Sequence, residues 1–282
     1  MRAPVGPTEQ LLFATVRIES DVQEETSVGT GFLFSFKVDE GKTIPVVVTC
    51  KHVVEGATRG RFKLHLASAA EPKTPSGESR FVELDNFAQR WIAHPNPRID
   101  LCAMPLAPLF AVTEQLGVHP FFIQLDENLL PSAAELDQLQ AVENVLMVGY
   151  PTGLWDEVNN FPLFRRGVTA SHPAFDFQGE SITVVDMACF PGSSGSPVLL
   201  FDQGAYASKE GITVGLRAKL LGVLFGGPTF SAEGEIVIRP IPTGKRATAL
   251  TAVMVHLGYI LKSRELVPLG EALKTLAAGG SA

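Results

Sequence analysis

The stretch FPGSSGSPVLLF, from Phe190 to Phe201, indicates the fold most directly. It places five Gly and Ser residues between two prolines and continues as an apolar run that is typical of a β-strand. Glycines at 192 and 195 allow sharp backbone angles on either side of Ser194. Two amides of such a turn can point at one spot and bind a developing oxyanion. The stretch predicts either a nucleophile turn around Ser194 or a Gly/Ser turn that only leads into a strand.

The composition is that of an ordinary folded chain. Of 282 residues, 45% are hydrophobic and 19% are charged, which argues against disorder. A net charge of −7 does not favour a nucleic acid or an anionic membrane as partner. The early apolar run LLFATV is too short for a signal peptide, and no run approaches the ~20 apolar residues of a membrane span. Three scattered cysteines form neither a disulfide framework nor a metal site, so we expect a cytoplasmic protein without metal or cofactor.

Short β-type runs separated by Gly, Pro and acidic residues fill most of the chain. One group lies in the first hundred residues and a second between 144 and 242, which predicts two similar all-β units of about five or six strands each. Four prolines interrupt the section between them, where Ser132 and Glu135 match a capping box at the start of a short helix. The end of the chain is expected to run from strand into helix.

A serine hydroxyl becomes a good nucleophile only when a base takes its proton. Histidine does this near neutral pH, and a carboxylate then orients the imidazole. His52 follows the apolar run VVVTC, where a strand is expected to end, and Asp100 stands where NPRID gives way to an apolar run. A lone histidine at a strand end is more often structural, and the alternative for Asp100 is a turn residue before a strand. Their interpretation as catalytic groups therefore depends on Ser194.

Three motifs resemble those of the trypsin-like (chymotrypsin-fold) serine peptidases. TCKHV resembles the histidine motif of that family, IDLCAMPL its aspartate motif and GSSGSP its nucleophile loop. They follow the family's order of His, Asp and Ser, with 48 residues from His52 to Asp100 and 94 from Asp100 to Ser194. VDMACFPGSSGSP, GTGFLF and VGYPTG extend the resemblance to the bacterial HtrA-like branch, here without its PDZ domain.

The resemblance implies two antiparallel six-stranded β-barrels packed against each other, with a short C-terminal helix. The predicted units are an N-terminal barrel over 1–115 carrying His52 and Asp100, a connection over 116–140, a C-terminal barrel over 141–250 carrying Ser194, and a helix and tail over 251–282. The implied function is serine endopeptidase activity on a polypeptide substrate through an acyl-enzyme.

The resemblance also implies roles for individual residues. His52 is the expected general base and acid, Asp100 orients it, and Ser194 attacks the peptide carbonyl. The expected oxyanion hole consists of the Gly192 and Ser194 amides, with the Ser193 amide as a further donor. The expected specificity pocket is lined by Ala188, Phe225, Gly226 and Gly227. No carboxylate stands at these four positions, so we expect cleavage after small or medium apolar residues.

Departures from the family pattern leave two alternatives open. Ser196 stands where the family has a glycine, and Ser193 replaces the aspartate that digestive members use for activation. One alternative is a catalytically inactive peptidase fold that binds peptides or proteins. The other is an enzyme that needs a regulatory protein partner, self-association or loop ordering. Cys50 and Cys102 read as packing residues, with a disulfide or an oxidation switch as the alternative.

Overall fold

The computed structural model describes residues 3–23, 25–39, 41–115, 117–209, 211–235, 248–254 and 256–279. Short strands and a few short helices make up this part of the chain. The strands are β1 (Thr15–Val22), β2 (Glu25–Asp39), β3 (Lys42–Thr49), β4 (Arg59–Ala67), β5 (Pro75–Asp85), β6 (Ile92–Ala93), β7 (Cys102–Pro105), β8 (Pro120–Phe121), β9 (Leu125–Asp126), β10 (Asn144–Gly149), β11 (Leu163–Thr169), β12 (Ile182–Asp186), β13 (Pro197–Ser208), β14 (Gly211–Gly226), β15 (Thr229–Glu235), β16 (Thr248–Met254) and β17 (Leu257–Lys262). The helices are α1 (Pro7–Leu11), α2 (Lys51–Val54), α3 (Ala107–Gln115), α4 (Ala133–Asp137) and α5 (Leu266–Gly279).

The first sheet contains nine strands, in the order β5-β4-β1-β2-β3-β7-β6, with β8 paired to β4 and β9 to β2. Three of them, β6, β8 and β9, are only two residues long. The six longer strands correspond to the six expected from the sequence. The short additions β8 and β9 come from the section predicted as a connection, which therefore packs partly on the first sheet.

The second sheet is a closed barrel of six strands in the order β10-β11-β12-β17-β14-β13. Closure satisfies the hydrogen bonds of both strand edges. Its last strand, β17, lies at Leu257–Lys262, beyond the predicted bound at 250, because β15 and β16 lie between β14 and β17 in the chain. β15 and β16 form a separate two-stranded sheet. The predicted division into four units stays a prediction. β17 belongs to the second barrel but lies within the predicted helix and tail, and β8 and β9 belong to the first sheet but lie within the predicted connection.

One hydrophobic core joins the two sheets. On β2 it includes Phe32, Phe34 and Phe36, which are all fully buried, and it continues into the second barrel through β10, β13 and β14. Helix α5 also packs here, since Gly270 lies so close to the Phe36 ring that a Cβ would crowd it. The helix therefore closes the first sheet rather than extending the second barrel.

The predicted all-β fold class is confirmed, with two antiparallel sheets and a short C-terminal helix. The capping box at α4 is also confirmed: Ser132 accepts from the Glu135 amide, and the Glu135 carboxylate accepts from the Ser132 amide. No helix among the described residues is long and apolar enough to cross a bilayer.

The buried histidine His65, on β4, makes stability depend on pH. Its ring packs against Phe13 and Phe161, and burial lowers the pKa of His65 from 6.5 to about 4. Between these two values the unfolded chain binds the proton and the folded chain does not. The free energy of unfolding should therefore decrease as the pH falls from 6.5 towards 4, by about 3 kcal/mol in all.

We expect His65→Phe to remove this pH dependence, because phenylalanine does not titrate. The measurement is the urea midpoint at pH 7 and pH 5 for wild type, His65→Phe and the exposed control His119→Gln. Wild type and His119→Gln should lose stability between the two pH values, and His65→Phe should lose clearly less. Equal losses in all three proteins would contradict the assignment.

Candidate active site

His52 lies on a one-turn helix that follows directly from β3. The strand ends at Thr49, Cys50 keeps extended backbone, and α2 begins at Lys51. Val53 and Val54 are buried and anchor the turn, while the His52 side chain stays 45% exposed. Gly29 permits this packing, because a Cβ there would overlap the Val53 side chain. The buried valines thus fix the helical turn in place, while the imidazole of His52 stays exposed to solvent.

Asp100 meets His52 because β3 and β7 are antiparallel neighbours. Thr49 pairs with Cys102, so the residues just after β3 lie beside those just before β7. Asp100 Oδ2 is 2.5 Å from His52 Nδ1, and Asp100 Oδ1 accepts a 3.1 Å hydrogen bond from the His52 amide. A carboxylate at Nδ1 favours the proton on that nitrogen and leaves Nε2 free as a base.

Ser194 lies in the turn between β12 and β13, at the junction of the two sheets. Its carbonyl accepts a 2.9 Å hydrogen bond from the Thr30 amide of β2. The next amide, that of Gly195, donates to the Leu224 carbonyl at 2.7 Å, and the same carbonyl accepts from Cys50 Sγ at 3.3 Å. The Ser194 turn is therefore bonded to β2 and to β14, and the β14 carbonyl that it uses also accepts from Cys50, two residues before His52.

Gly195 is required by this close approach. Its φ is +88°, and a Cβ there would overlap the Thr30 carbonyl and the Thr49 hydroxyl. We expect Gly195→Ala to lower the unfolding temperature and the activity together, since the left-handed backbone alone costs about 1–2 kcal/mol. The matched control is Gly204→Ala, at φ +101° with open space around it. In calorimetry Gly195→Ala should lose clearly more stability than Gly204→Ala, and equal losses would show that the overlap has no effect.

Two backbone amides of the turn have no acceptor in the part of the chain that the structure describes. Within the described residues neither the Gly192 nor the Ser194 amide donates a hydrogen bond, and Gly192 has φ +87°. The Ser193 amide differs, since it donates to the Phe190 carbonyl at 3.0 Å. A backbone amide carries a single donor. The structure therefore corrects the prediction that the Ser193 amide is a further donor to an oxyanion hole, because this amide is bonded to Phe190.

Ser196 does not disturb the turn, although the family pattern has a glycine there. The φ angle of Ser196 is not positive, so the position does not require the left-handed backbone that favours glycine. Its amide donates to the Ser193 carbonyl at 3.0 Å, and its own carbonyl accepts from the Leu224 amide at 3.0 Å. The side chain is buried beside Gly149, whose missing Cβ leaves room for the hydroxyl.

The expected pocket residues lie on two segments next to Ser194. Phe225, Gly226 and Gly227 follow Leu224, whose carbonyl binds the Ser194 turn. A Cβ at Gly226 would meet open space, whereas one at Gly227 would overlap the Leu257 carbonyl. Of the two glycines, Gly226 is therefore the one with open space beside its Cα.

Ala188 begins the other segment, and here the structure adds a residue that sequence reasoning missed. Arg165 Nη1, on β11, donates a 2.6 Å hydrogen bond to the Ala188 carbonyl, and the guanidinium lies 4.8 Å from the centre of the Phe190 ring. Arg165 pairs with the buried Met147 on β10. Exposure alternates along β11, with Phe164 and Arg166 exposed and Arg165 half-buried, but LFRRGVT itself has no apolar–polar alternation that marks Arg165.

The three cysteines are buried thiols without a disulfide. Burial raises the pKa of Cys50 and Cys102 well above the usual range, and that of Cys189 to about 11. Ligand atoms of Cys50, His52 and Asp100 lie within 4.8 Å of one another. A metal needs the thiolate, which burial disfavours at Cys50, so these residues fit packing and a catalytic pair better than a metal.

Residues 29–207 match the trypsin-like peptidase domain. The chain belongs to this family. The matched segment includes His52, Asp100 and Ser194, and the all-β fold with its two sheets is the chymotrypsin-like fold of trypsin-like peptidases. No curated protein matches the chain significantly.

Two solved structures are similar to this trypsin-like peptidase domain. One is the serine endoprotease from Yersinia pestis, with 14% identity and a TM-score of 0.48 over 95% of this chain and 65% of that chain. The other is the catalytically active tobacco etch virus protease complexed with product, with 12% identity and a TM-score of 0.48 over 95% of this chain and 83% of that one. The chain thus spans less than two thirds of the Yersinia protein.

Proposed function

We propose that this chain is a serine endopeptidase that cleaves polypeptides through a triad of Ser194, His52 and Asp100. The observation that carries the proposal is the paired His52 and Asp100, 2.5 Å apart, beside a serine turn with two amides that have no acceptor. The membership in the trypsin-like peptidase domain family supports peptide hydrolysis as the reaction.

Acylation begins when Ser194 Oγ attacks the carbonyl carbon of the scissile peptide bond. His52 Nε2 takes the hydroxyl proton, and Asp100 stabilises the resulting imidazolium through Nδ1. The carbonyl oxygen becomes negative and accepts hydrogen bonds from the Gly192 and Ser194 amides, each worth about 10²–10³ in rate. The carbon–nitrogen bond then breaks, the amine leaves with the proton from Nε2, and the acyl group stays on Ser194.

Deacylation repeats these steps with water as the nucleophile. His52 Nε2 takes a proton from water, the hydroxide attacks the ester carbon, and the same two amides bind the oxyanion. Ser194 Oγ leaves with the proton from Nε2, and a carboxylic acid is released. The proposed pocket of Ala188, Phe225, Gly226 and Gly227 holds the side chain before the scissile bond, with small or medium apolar residues as the proposed preference.

Labelling with a fluorophosphonate tests the proposal directly, because this reagent phosphonylates a serine only when a base activates it. Intact mass spectrometry should show one added phosphonate, and peptide mapping should place it on Ser194. A peptide library should then yield cleavage products that disappear after labelling. A protein that binds library peptides but is neither labelled nor able to cleave them would instead be a peptide-binding module. The expected cytoplasmic location and regulatory partner stay predictions.

A further inference from the structure

Thr30 links the first sheet to the turn that carries Ser194, through both its backbone and its side chain. It lies on β2 and is fully buried. Its hydroxyl donates to the Gly192 carbonyl at 2.9 Å and accepts from the Tyr150 amide at 3.1 Å. Its amide donates to the Ser194 carbonyl at 2.9 Å. One side chain of the first sheet thus bonds to two segments of the second barrel.

The bond to the Gly192 carbonyl determines how the next peptide unit is oriented. A trans peptide is planar, so its C=O and N–H point in opposite directions. With the Gly192 carbonyl held towards Thr30, the Ser193 amide points away and reaches the Phe190 carbonyl. The hydroxyl of Thr30 therefore keeps the Ser193 amide out of the proposed oxyanion hole.

The peptide unit before Gly192 is held in the same manner. The Pro191 carbonyl accepts a hydrogen bond from the Thr152 amide, in the turn that follows Tyr150. By the same planarity the Gly192 amide points away from Thr152. Gly192 thus lies between two peptide planes that are each held by one hydrogen bond from a distant segment, one from Thr152 and one from Thr30. The second plane is also held within the turn, by the bond from the Ser193 amide to the Phe190 carbonyl.

Glycine makes this turn dependent on those two bonds. Gly192 has φ +87°, and glycine rotates between positive and negative φ at little cost. Without the Thr30 hydroxyl the Gly192 carbonyl loses its only hydrogen-bond donor among the described residues, and the Gly192–Ser193 peptide keeps only the bond from the Ser193 amide to Phe190, within the same turn. A rotation there changes the direction of the Gly192 amide relative to that of Ser194.

We propose that Thr30 is a positioning residue whose hydroxyl holds the Gly192–Ser193 peptide, and with it the relative direction of the Gly192 and Ser194 amides that bind the oxyanion. This rests on the proposed peptidase function. The hydroxyl acts on the transition state alone, because the oxyanion forms only there. Its removal should lower kcat and leave KM nearly unchanged.

The test compares three variants of the full chain. Thr30→Val keeps the shape and removes the hydroxyl, and Thr30→Ser keeps the hydroxyl. Thr183→Val is the matched control, since Thr183 is a buried threonine on β12 whose hydroxyl has no partner among the described residues. We expect Thr30→Val to lower kcat about 10- to 100-fold, less than the full loss of one oxyanion donor, with KM within about twofold. Thr30→Ser and Thr183→Val should keep kcat within about threefold.

An inhibitor adds a readout that a merely structural role would not change. A peptidyl trifluoromethyl ketone forms a hemiketal oxyanion on the serine, so its affinity should fall in Thr30→Val in proportion to kcat. If Thr30→Val does not fold, Thr30→Cys takes its place, because a thiol is a weak donor of similar size, and its kcat should lie clearly below that of Thr30→Ser.

The outcomes separate this inference from the proposed function. An unlabelled, inactive wild type overturns the peptidase proposal itself. An active wild type with equal kcat in Thr30→Val overturns only the role of Thr30. An equal loss of kcat in Thr30→Val and Thr30→Ser, or a rise in KM alone, also overturns it, because neither follows from the hydroxyl's bond to Gly192.

Discussion

Ser194→Ala should lower kcat on the order of 10⁶-fold, the scale seen when a serine peptidase loses its nucleophile. The methyl group cannot attack a carbonyl, and His52 then has no hydroxyl to deprotonate. The fold should survive, because the bonds of the turn use the Ser194 carbonyl and the Gly195 amide rather than the hydroxyl. KM should change little, since Oγ forms no bond to the substrate before the attack.

The measurement is the initial rate on the best library peptide at saturating substrate, together with fluorophosphonate labelling. Ser196→Ala is the matched control, because Ser196 lies in the same turn and its buried hydroxyl has no partner among the described residues. Ser196→Ala should keep both rate and labelling. Residual labelling of Ser194→Ala at another residue would show that the nucleophile had been assigned to the wrong side chain.

Asp100→Asn should lower kcat about 10⁴-fold at neutral pH, as in other triads of this kind. The amide of asparagine can donate to His52 Nδ1, which places the imidazole proton on Nε2, where the base is needed. The neutral side chain also lacks the negative charge that stabilises the imidazolium. Asparagine has nearly the same shape as aspartate, and its oxygen can still accept from the His52 amide, so stability should change little.

Kinetics at pH 7 and a thermal unfolding curve check this expectation. Asp85→Asn provides the control, since Asp85 is an exposed carboxylate paired with Arg59 at 3.2 Å and exposed pairs contribute little to stability. Its kcat should equal that of wild type. A loss of less than about tenfold in Asp100→Asn would mean that Asp100 does not orient the base, whatever its distance from His52.

Much of the candidate site follows from local sequence. VVVTC ends a strand before His52, an apolar run begins after Asp100, and the glycines around Ser194 form a sharp turn. These features depend on strand propensity, on backbone sterics and on motifs within a few residues of each other, which a single sequence displays. The β-type runs predicted about five or six strands in the second unit, and the resemblance to the trypsin-like serine peptidases implied the six-stranded barrel that the structure has.

Long-range hydrogen bonds were not visible in this way. The Ser193 amide was expected to face the oxyanion, yet it bonds to Phe190, and the residues that orient the turn lie 40 or more positions away, at Thr30 and Thr152. Arg165 likewise reaches Ala188 across the barrel. No spacing rule connects such residues, because their proximity results from the closure of the second barrel, for Thr152 and Arg165, and from the packing of the first sheet against it, for Thr30.

The sequence by itself determined the chemical groups and the short turns that carry them: an imidazole after a strand, a carboxylate before one, and a hydroxyl between glycines. Only the tertiary structure decided which amides of the serine turn are free and which side chains hold them so. The physical reason is that a peptide plane next to glycine rotates easily, and its direction is set by hydrogen bonds from distant segments that meet only in the folded chain.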